Sequence, residues 1–154
     1  MQYSIDTDAI INLVRRVYPP RIFPTLLRNC EALIAAGDLI AADEVRHELE
    51  RKAGDQVHVW AVAQPLLFVP ADEAIQVAAS EILAQYSGLV DADATEPEAD
   101  PFVIALAQVR RCTVVSGEIA SNNPRRPKIP NVCRALGIPC MNLLQFFEAQ
   151  HWLF

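Results

Sequence analysis

No stretch of this chain is apolar for long enough to cross a bilayer. Val57 to Val69 and Ile104 to Val109 are broken by polar residues or stop short of the about 20 residues that a spanning helix needs. The N-terminus, Met1-Gln2-Tyr3-Ser4-Ile5-Asp6, lacks the basic start and apolar run of a signal peptide. The expectation is a cytoplasmic protein with no membrane segment. Paired cysteines are missing too: Cys30, Cys112, Cys133 and Cys140 form no C-x-x-C motif and have no histidine at zinc-ligand spacing, so they read as reduced thiols in or near the core. His47, His58 and His151 make no H-E-x-x-H pair, which gives a zinc hydrolase little support. Positive charge is in short supply, 13 Lys and Arg against 19 Asp and Glu, and a net charge of −6 is awkward for a partner of nucleic acid. The chain shows no internal repeat and no low-complexity tract.

What is present is an ordinary globular mixture, 52% hydrophobic and 21% charged over 154 residues, enough for a single domain spanning residues 1–154. Tyr3 to Asp6 reads as a short strand, and Ala9 to Val17 carries apolar residues at helical spacing. Tyr18-Pro19-Pro20 stops that helix. Pro24 opens the next, which runs to a stop at Gly37. Leu39 to Ala42 is a second strand, and Asp43 is placed to cap a helix from Glu44 that continues through Val57, Trp60 and Val62 to Pro65. Leu66 to Val69 is a short apolar run. Asp72 to Tyr86 is an amphipathic helix with Ile75, Ala79, Ile82 and Leu83 on one face, and residues 87–98 form a loop. Asp100-Pro101 opens a helix with Asp at the cap and Pro at the first helical position. Cys112 to Ser116 is a buried strand, followed by a polar loop over residues 121–128. The end repeats the pattern, with helix Pro130 to Leu136, strand Ile138 to Met141, and a last helix capped by Asn142. Alternating strands and helices predict an α/β fold, a three-layer α/β/α sandwich around a central, mostly parallel sheet.

The carboxylates are the residues to follow. Ligands of open α/β sheets bind beyond the carboxyl ends of the strands, where Asp6 and Glu118 are expected. Asp100 and Glu48 sit near helix starts that could aim at the same crevice. Glu48 lies about 80° round the helix from the centre of the Val45/Leu49 stripe and Glu44 about 120°, so Glu48 flanks the buried seam. Four acids there would suit a hard divalent cation and phosphodiester hydrolysis. Each also has a plainer reading, Asp100 as a cap and Glu118 as part of a solvated turn. Basic residues cluster at Arg15-Arg16, at Arg110-Arg111 and at Arg125-Arg126 with Lys128, either as solvated surface or as a rim that tracks phosphates.

The segments Ser4-Ile5-Asp6-Thr7-Asp8, Val45-Arg46-His47-Glu48-Leu49, Ala99-Asp100-Pro101-Phe102 to Ala107, and Thr113 to Ser116-Gly117-Glu118 resemble, in order, the acidic motifs of PIN-domain nucleases. The closing stretch, Lys128-Ile129-Pro130-Asn131-Val132-Cys133 to Asn142-Leu143-Leu144, is similar to the tail of a bacterial PIN subfamily related to VapC-type toxins. The resemblance implies Asp6, Glu48, Asp100 and Glu118 as catalytic ligands of Mg²⁺ or Mn²⁺, with Thr7 and Ser116 as hydroxyl neighbours. It implies an RNA substrate, a 5′-phosphate and 3′-hydroxyl at the cut, an antitoxin protein as partner, and dimers in many members. Asp8 stands where Asn or Ser is common and adds a charge that could recruit a second cation. Glu118 stands where Asp is common, so a longer arm must reach the metal.

Two other readings fit parts of the same sequence. A PIN fold can persist as an RNA-binding or protein-interaction module with an impaired site. Asp6-Thr7-Asp8 also resembles the D-x-D start of haloacid-dehalogenase-type phosphatases, with Asp6 as nucleophile. The chain offers only Lys52 and Lys128, neither followed by the acidic pair that family uses.

Overall fold

The computed structural model describes the backbone of residues 1–154 and their side chains apart from that of Asp55. Its centre is a five-stranded, all-parallel sheet in the order β3-β2-β1-β4-β5, formed by β1 (Tyr3–Ile5), β2 (Leu39–Ala42), β3 (Phe68–Val69), β4 (Thr113–Val115) and β5 (Cys140–Met141). From β1 the chain steps outward through α1 (Thr7–Ile11), α2 (Pro24–Ala35), α3 (Asp43–Lys52) and α4 (Asp55–Val62) to reach β2 and β3. It then crosses back through α5 (Glu73–Gln85) and α6 (Asp100–Arg110) to β4, and on through α7 (Ile129–Leu136) to β5 and α8 (Leu143–Ala149). The crossovers β1 to β2 to β3 run one way across the sheet and β3 to β4 to β5 the other. For right-handed connections this places α1–α4 on one face and α5–α7 on the other, while α8 packs opposite α6. The result is a three-layer α/β/α sandwich.

The inner strands are buried on both faces, as parallel strands under two helix layers require. Ser4 alternates to the α6 side, where its hydroxyl donates to the Val103 carbonyl at 3.0 Å. Tyr3 points the other way and meets Phe146 of α8 edge-on, with ring centroids 5.0 Å apart. Phe146 and Phe147 are buried, and Trp152 and Phe154 pack against Phe147, so the closing aromatic residues largely fasten α8 to the core. The four cysteines carry no disulfide.

Several local expectations change. The first helix tightens into α1 and then widens into a π-helical turn over Asn12–Arg16, an insertion that apolar spacing does not reveal. Asp43 is the first residue of α3 rather than its cap; it pairs with Arg46 one turn on, at 2.9 Å. The helix expected to run on to Pro65 breaks at Gly54, whose φ of 78° an L side chain rarely adopts. On α5, Leu83 is exposed while Ala78 joins Ile75, Ala79 and Ile82 in the core. The third and fifth strands are two residues long, because edge pairing extends no further than Ala41–Ala42 and Val114–Val115. Asp100 is the first residue of α6, Ala99 occupies the cap position, and no capping bond comes from the Asp100 side chain.

Candidate active site

The connection after β1 runs toward β2 and the one after β4 runs the other way toward β5, and the switch point between β1 and β4 opens a crevice at their carboxyl ends. Asp6 follows β1 there, with its N–H donating to the Val115 carbonyl at 3.0 Å. Its Oδ1 accepts from the Ala9 N–H at 2.7 Å, capping α1, and from the Gly117 N–H at 3.1 Å, while Oδ2 accepts from the Ser116 hydroxyl. Burial raises the Asp6 pKa to about 7 despite these three donors, with the Glu118 charge adding to the shift. Ser116 is fixed in turn, since its Oγ accepts from the Glu118 N–H at 3.0 Å. The turn after β4 presses on the start of α1 so closely that a Cβ on Gly117 would lie 2.9 Å from the Ala9 nitrogen and the Asp8 carbonyl carbon. Gly117→Ala is therefore expected to cost about 1–3 kcal/mol, the usual scale of overpacking, visible as a lowered Tm.

Glu48 reaches the crevice from α3 and is buried. The Thr7 hydroxyl donates to its Oε1 at 2.8 Å and the Ala99 N–H to its Oε2 at 2.7 Å, so a carboxylate from α3 satisfies an orphan donor at the start of α6. Lys52, one turn along α3, stands 3.9 Å from the same oxygen. Asp100, half-buried, accepts no hydrogen bond among the described residues. Its pKa is raised to about 9 by burial first, then by the charges of Glu118, Glu48, Asp6 and Glu98. Glu118 is raised mainly by burial, against the Ile129 N–H that donates to its Oε2 at 3.0 Å and against Lys128.

Asp6, Thr7, Asp8, Glu48, Asp100 and Glu118 thus line one crevice of about 380 Å³. Of the arginines considered, Arg16 and Arg126 line it as well. Arg15 turns away to donate from Nη1 to the Ala53 carbonyl, and Arg125 is exposed in the following loop. Arg110 and Arg111 lie at the far end of α6, about 16 Å from its start at 1.5 Å per residue. Lys52, Lys128 and Glu98 also line the crevice. Lys52 could have been placed from its spacing of one helical turn after Glu48, and Lys128 from its basic cluster. Glu98 was visible as one more member of an acidic run.

The donor set is all oxygen, which fits a hard divalent cation such as Mg²⁺ or Mn²⁺. Each carboxylate has about four acceptor positions. Asp6 uses three of them, Glu48 two in hydrogen bonds, Glu118 one and Asp100 none, so the set keeps free acceptors facing the crevice. Among the described residues no three of these side chains close into a metal-holding group.

The arrangement of sheet, switch point and helices is the PIN fold. Solved structures with this fold include VapBC2 from Rickettsia felis bound to a DNA fragment from their promoter, with a TM-score of 0.55 at 16% identity over 92% of this chain and 98% of that one. FitAB bound to an IR36 DNA fragment gives 0.55 at 16% over 92% and 94%, and FitAcB from Neisseria gonorrhoeae gives 0.54 at 17% over 92% and 97%. No curated protein matches the chain. The chain belongs to the family described as a domain of unknown function, DUF4411, whose model matches residues 3–154.

Proposed function

We propose that this protein is a divalent-metal-dependent endoribonuclease that acts in the cytoplasm as the toxin of a toxin–antitoxin pair. The observation that carries the reading is the convergence of Asp6, Glu48, Asp100 and Glu118 on one crevice at the sheet's switch point, with Asp6 and Asp100 hindered from ionising. A fold that spends stability on crowding acids needs a reason, and a cation is the simplest one. The PIN fold shared with VapBC2 and FitAB, together with the VapC-like closing segment, supports pairing with an antitoxin protein.

Asp6, Glu48, Asp100 and Glu118 would hold Mg²⁺ or Mn²⁺. Such an ion, when bound, lowers the pKa of water and offsets charge on the phosphoryl oxygens. The chain's own groups do the rest. Ser116 and the Gly117 N–H hold Asp6 in one rotamer, and Thr7 with the Ala99 N–H does the same for Glu48. Arg16, Lys52, Arg126 and Lys128 line the same crevice and would take the RNA phosphates, which answers the overall negative charge with a local positive rim. Asp6 is a poor phosphatase nucleophile by comparison, since three donors already occupy its oxygens.

The test is to incubate purified protein with mixed RNAs, with and without Mn²⁺ or Mg²⁺, beside Asp6→Asn and Asp100→Asn. Cleavage by the wild type and its loss in both variants is expected. Equal cleavage by all three would sink the site. A second reading, an RNA-binding module with an impaired site, draws on the failure of the carboxylates to close into a metal-holding group. RNA binding without cleavage under either metal would decide for it.

A further inference from the structure

A second groove, of about 580 Å³, opens beside the acidic crevice and shares Glu118 with it. Ser116 and Gly117, which hold Asp6, also line it, and the rest of its walls come from parts of the fold that the four carboxylates do not use. Asn12 and Tyr18 come from the π-helical turn and the residues just after it, Arg134 from α7, Met141 from β5 and Leu144 from α8.

Asn12 is the informative residue. Its Oδ1 is shielded from solvent and has no hydrogen-bond partner among the described residues, and the residue is among those that line the groove. Exchanging the two ends of the amide would leave a donor in the same plight, so the groove holds an unpaired amide group either way. The turn that presents it is firmly built, because the Asn12 carbonyl accepts from the Val17 and Tyr18 N–H groups at 3.1 and 2.8 Å. A buried polar group without a partner is uncommon, and this one gains a partner when the amide turns about its side-chain torsion toward a ligand in the groove.

The remaining surface suits a flat, partly apolar ligand that carries negative charge. Tyr18 is held edge-on between Phe23 and Phe147, with ring centroids 5.5 and 5.2 Å away, and so keeps one orientation. Leu144 is 60% exposed beside half-buried Met141, which leaves an apolar wall uncovered. Arg134 is exposed and forms no salt bridge among the described residues. A nucleotide has a flat base with polar edges and an attached phosphate, and it matches these three features together.

We propose that this groove is a subsite for one nucleotide of single-stranded RNA, next to the phosphodiester held in the acidic crevice. The inference rests on the ribonuclease reading and adds to it a place where sequence is read. The base lies against Tyr18, Met141 and Leu144, the Asn12 amide meets its hydrogen-bonding edge, and Arg134 meets the adjoining phosphate. Glu118, common to both cavities, marks the junction between subsite and cut. A single strand is required because the base edge must be free of pairing and stacking.

Two measurements test this. In the first, the full ¹⁵N-labelled chain is titrated with each of the four ribonucleoside 5′-monophosphates without metal, so that no cleavage is needed. The Asn12 side-chain amide and the Leu144 backbone signal are expected to shift at millimolar concentration, and Arg134→Ala is expected to weaken the response about tenfold, the loss of one charge-assisted contact. In the second, cleavage sites in a random single-stranded RNA pool are mapped for wild type and Asn12→Ala, and the variant is expected to lose the base preference at one position flanking the cut. Shifts absent from Asn12 and Leu144 with all four nucleotides would overturn the subsite, as would an unchanged base preference in Asn12→Ala. RNA cut normally beside a silent groove refutes the subsite and leaves the ribonuclease. Nucleotide shifts in the groove beside uncut RNA refute the ribonuclease and leave the nucleotide site.

Discussion

Replacing Asp100 with Asn is expected to make the metal-free protein more stable and, in the same step, to lower RNA cleavage by about 10²–10³-fold, the scale of losing one electrostatic group from a site. In the fold this carboxyl is raised to about 9 from an ordinary value of 3.8, by burial and by Glu118, Glu48 and Asp6. The native state therefore keeps a proton through a range in which the unfolded chain has lost it. Stability then falls as pH rises. The contribution of Asp100 is fully present below pH about 4 and is lost as pH climbs through about 9, and Asp6, raised to about 7, acts in the same direction. An asparagine is neutral at every pH and escapes this cost. Allowing for partial exposure and for the shared charge of its neighbours, the gain at pH 8 is about 1–3 kcal/mol, or roughly 3–10 °C in Tm. Thermal denaturation of both proteins in chelator from pH 5 to 9 checks it. The Tm gap should widen with pH, and Mn²⁺ should raise the wild type while leaving Asp100→Asn nearly unchanged. A gap independent of pH would show that Asp100 is not held protonated.

The same residue shows how far a sequence can be read. The Asp-Pro pair correctly marks the start of α6, because local sterics favour proline in the first helical turn. It misplaces the cap by one residue. The group that satisfies the Ala99 N–H is Glu48, 51 residues earlier in the chain, and no local pattern announces so distant an acceptor. Helix geometry did separate Glu48 from Glu44, since α3 follows the regular spacing of its Val45 and Leu49 seam. It could not separate Arg15 from Arg16. These neighbours lie about 100° apart on a helix, and the π-helical turn alters that angle and sends one to the Ala53 carbonyl and the other to the crevice. Parallel pairing was legible in the alternation of strands and helices, and the direction of each crossover then sets the switch point beside Asp6. Hydrogen-bond partners such as Ser116 and Gly117 arise from β1 and β4 lying side by side, a fact of topology that spacing along the chain does not contain.

Glu48→Ala is expected to destabilise the fold by about 3–5 kcal/mol, enough to lower Tm by about 10 °C or more. Removing the carboxylate strands two donors that have little water to turn to, the Thr7 hydroxyl and the Ala99 N–H, and leaves a void where α3 meets the start of α1 and Ala99. Glu48→Gln separates this structural role from the chemical one. The glutamine oxygen can accept from the Ala99 N–H, and its amide can donate to the Thr7 hydroxyl once that group turns round to accept, so both contacts keep a hydrogen bond and the cost is about 1 kcal/mol. The negative charge is gone all the same, and cleavage should fall as it does for Asp100→Asn. Glu44→Ala serves as the control. Its Oε2 is buried without a partner and its carboxyl is raised chiefly by burial, so removal is expected to be neutral within about 0.5 kcal/mol or mildly stabilising. Chemical denaturation of the three variants beside the wild type, followed by RNA cleavage at a temperature where all are folded, tests the assignment. Equal stability for Glu48→Ala and Glu48→Gln would mean that the bonds from Thr7 and Ala99 do not hold α3 to α1 and to the start of α6. Undiminished cleavage by folded Glu48→Gln would remove Glu48 from the metal site while leaving its place in the fold intact.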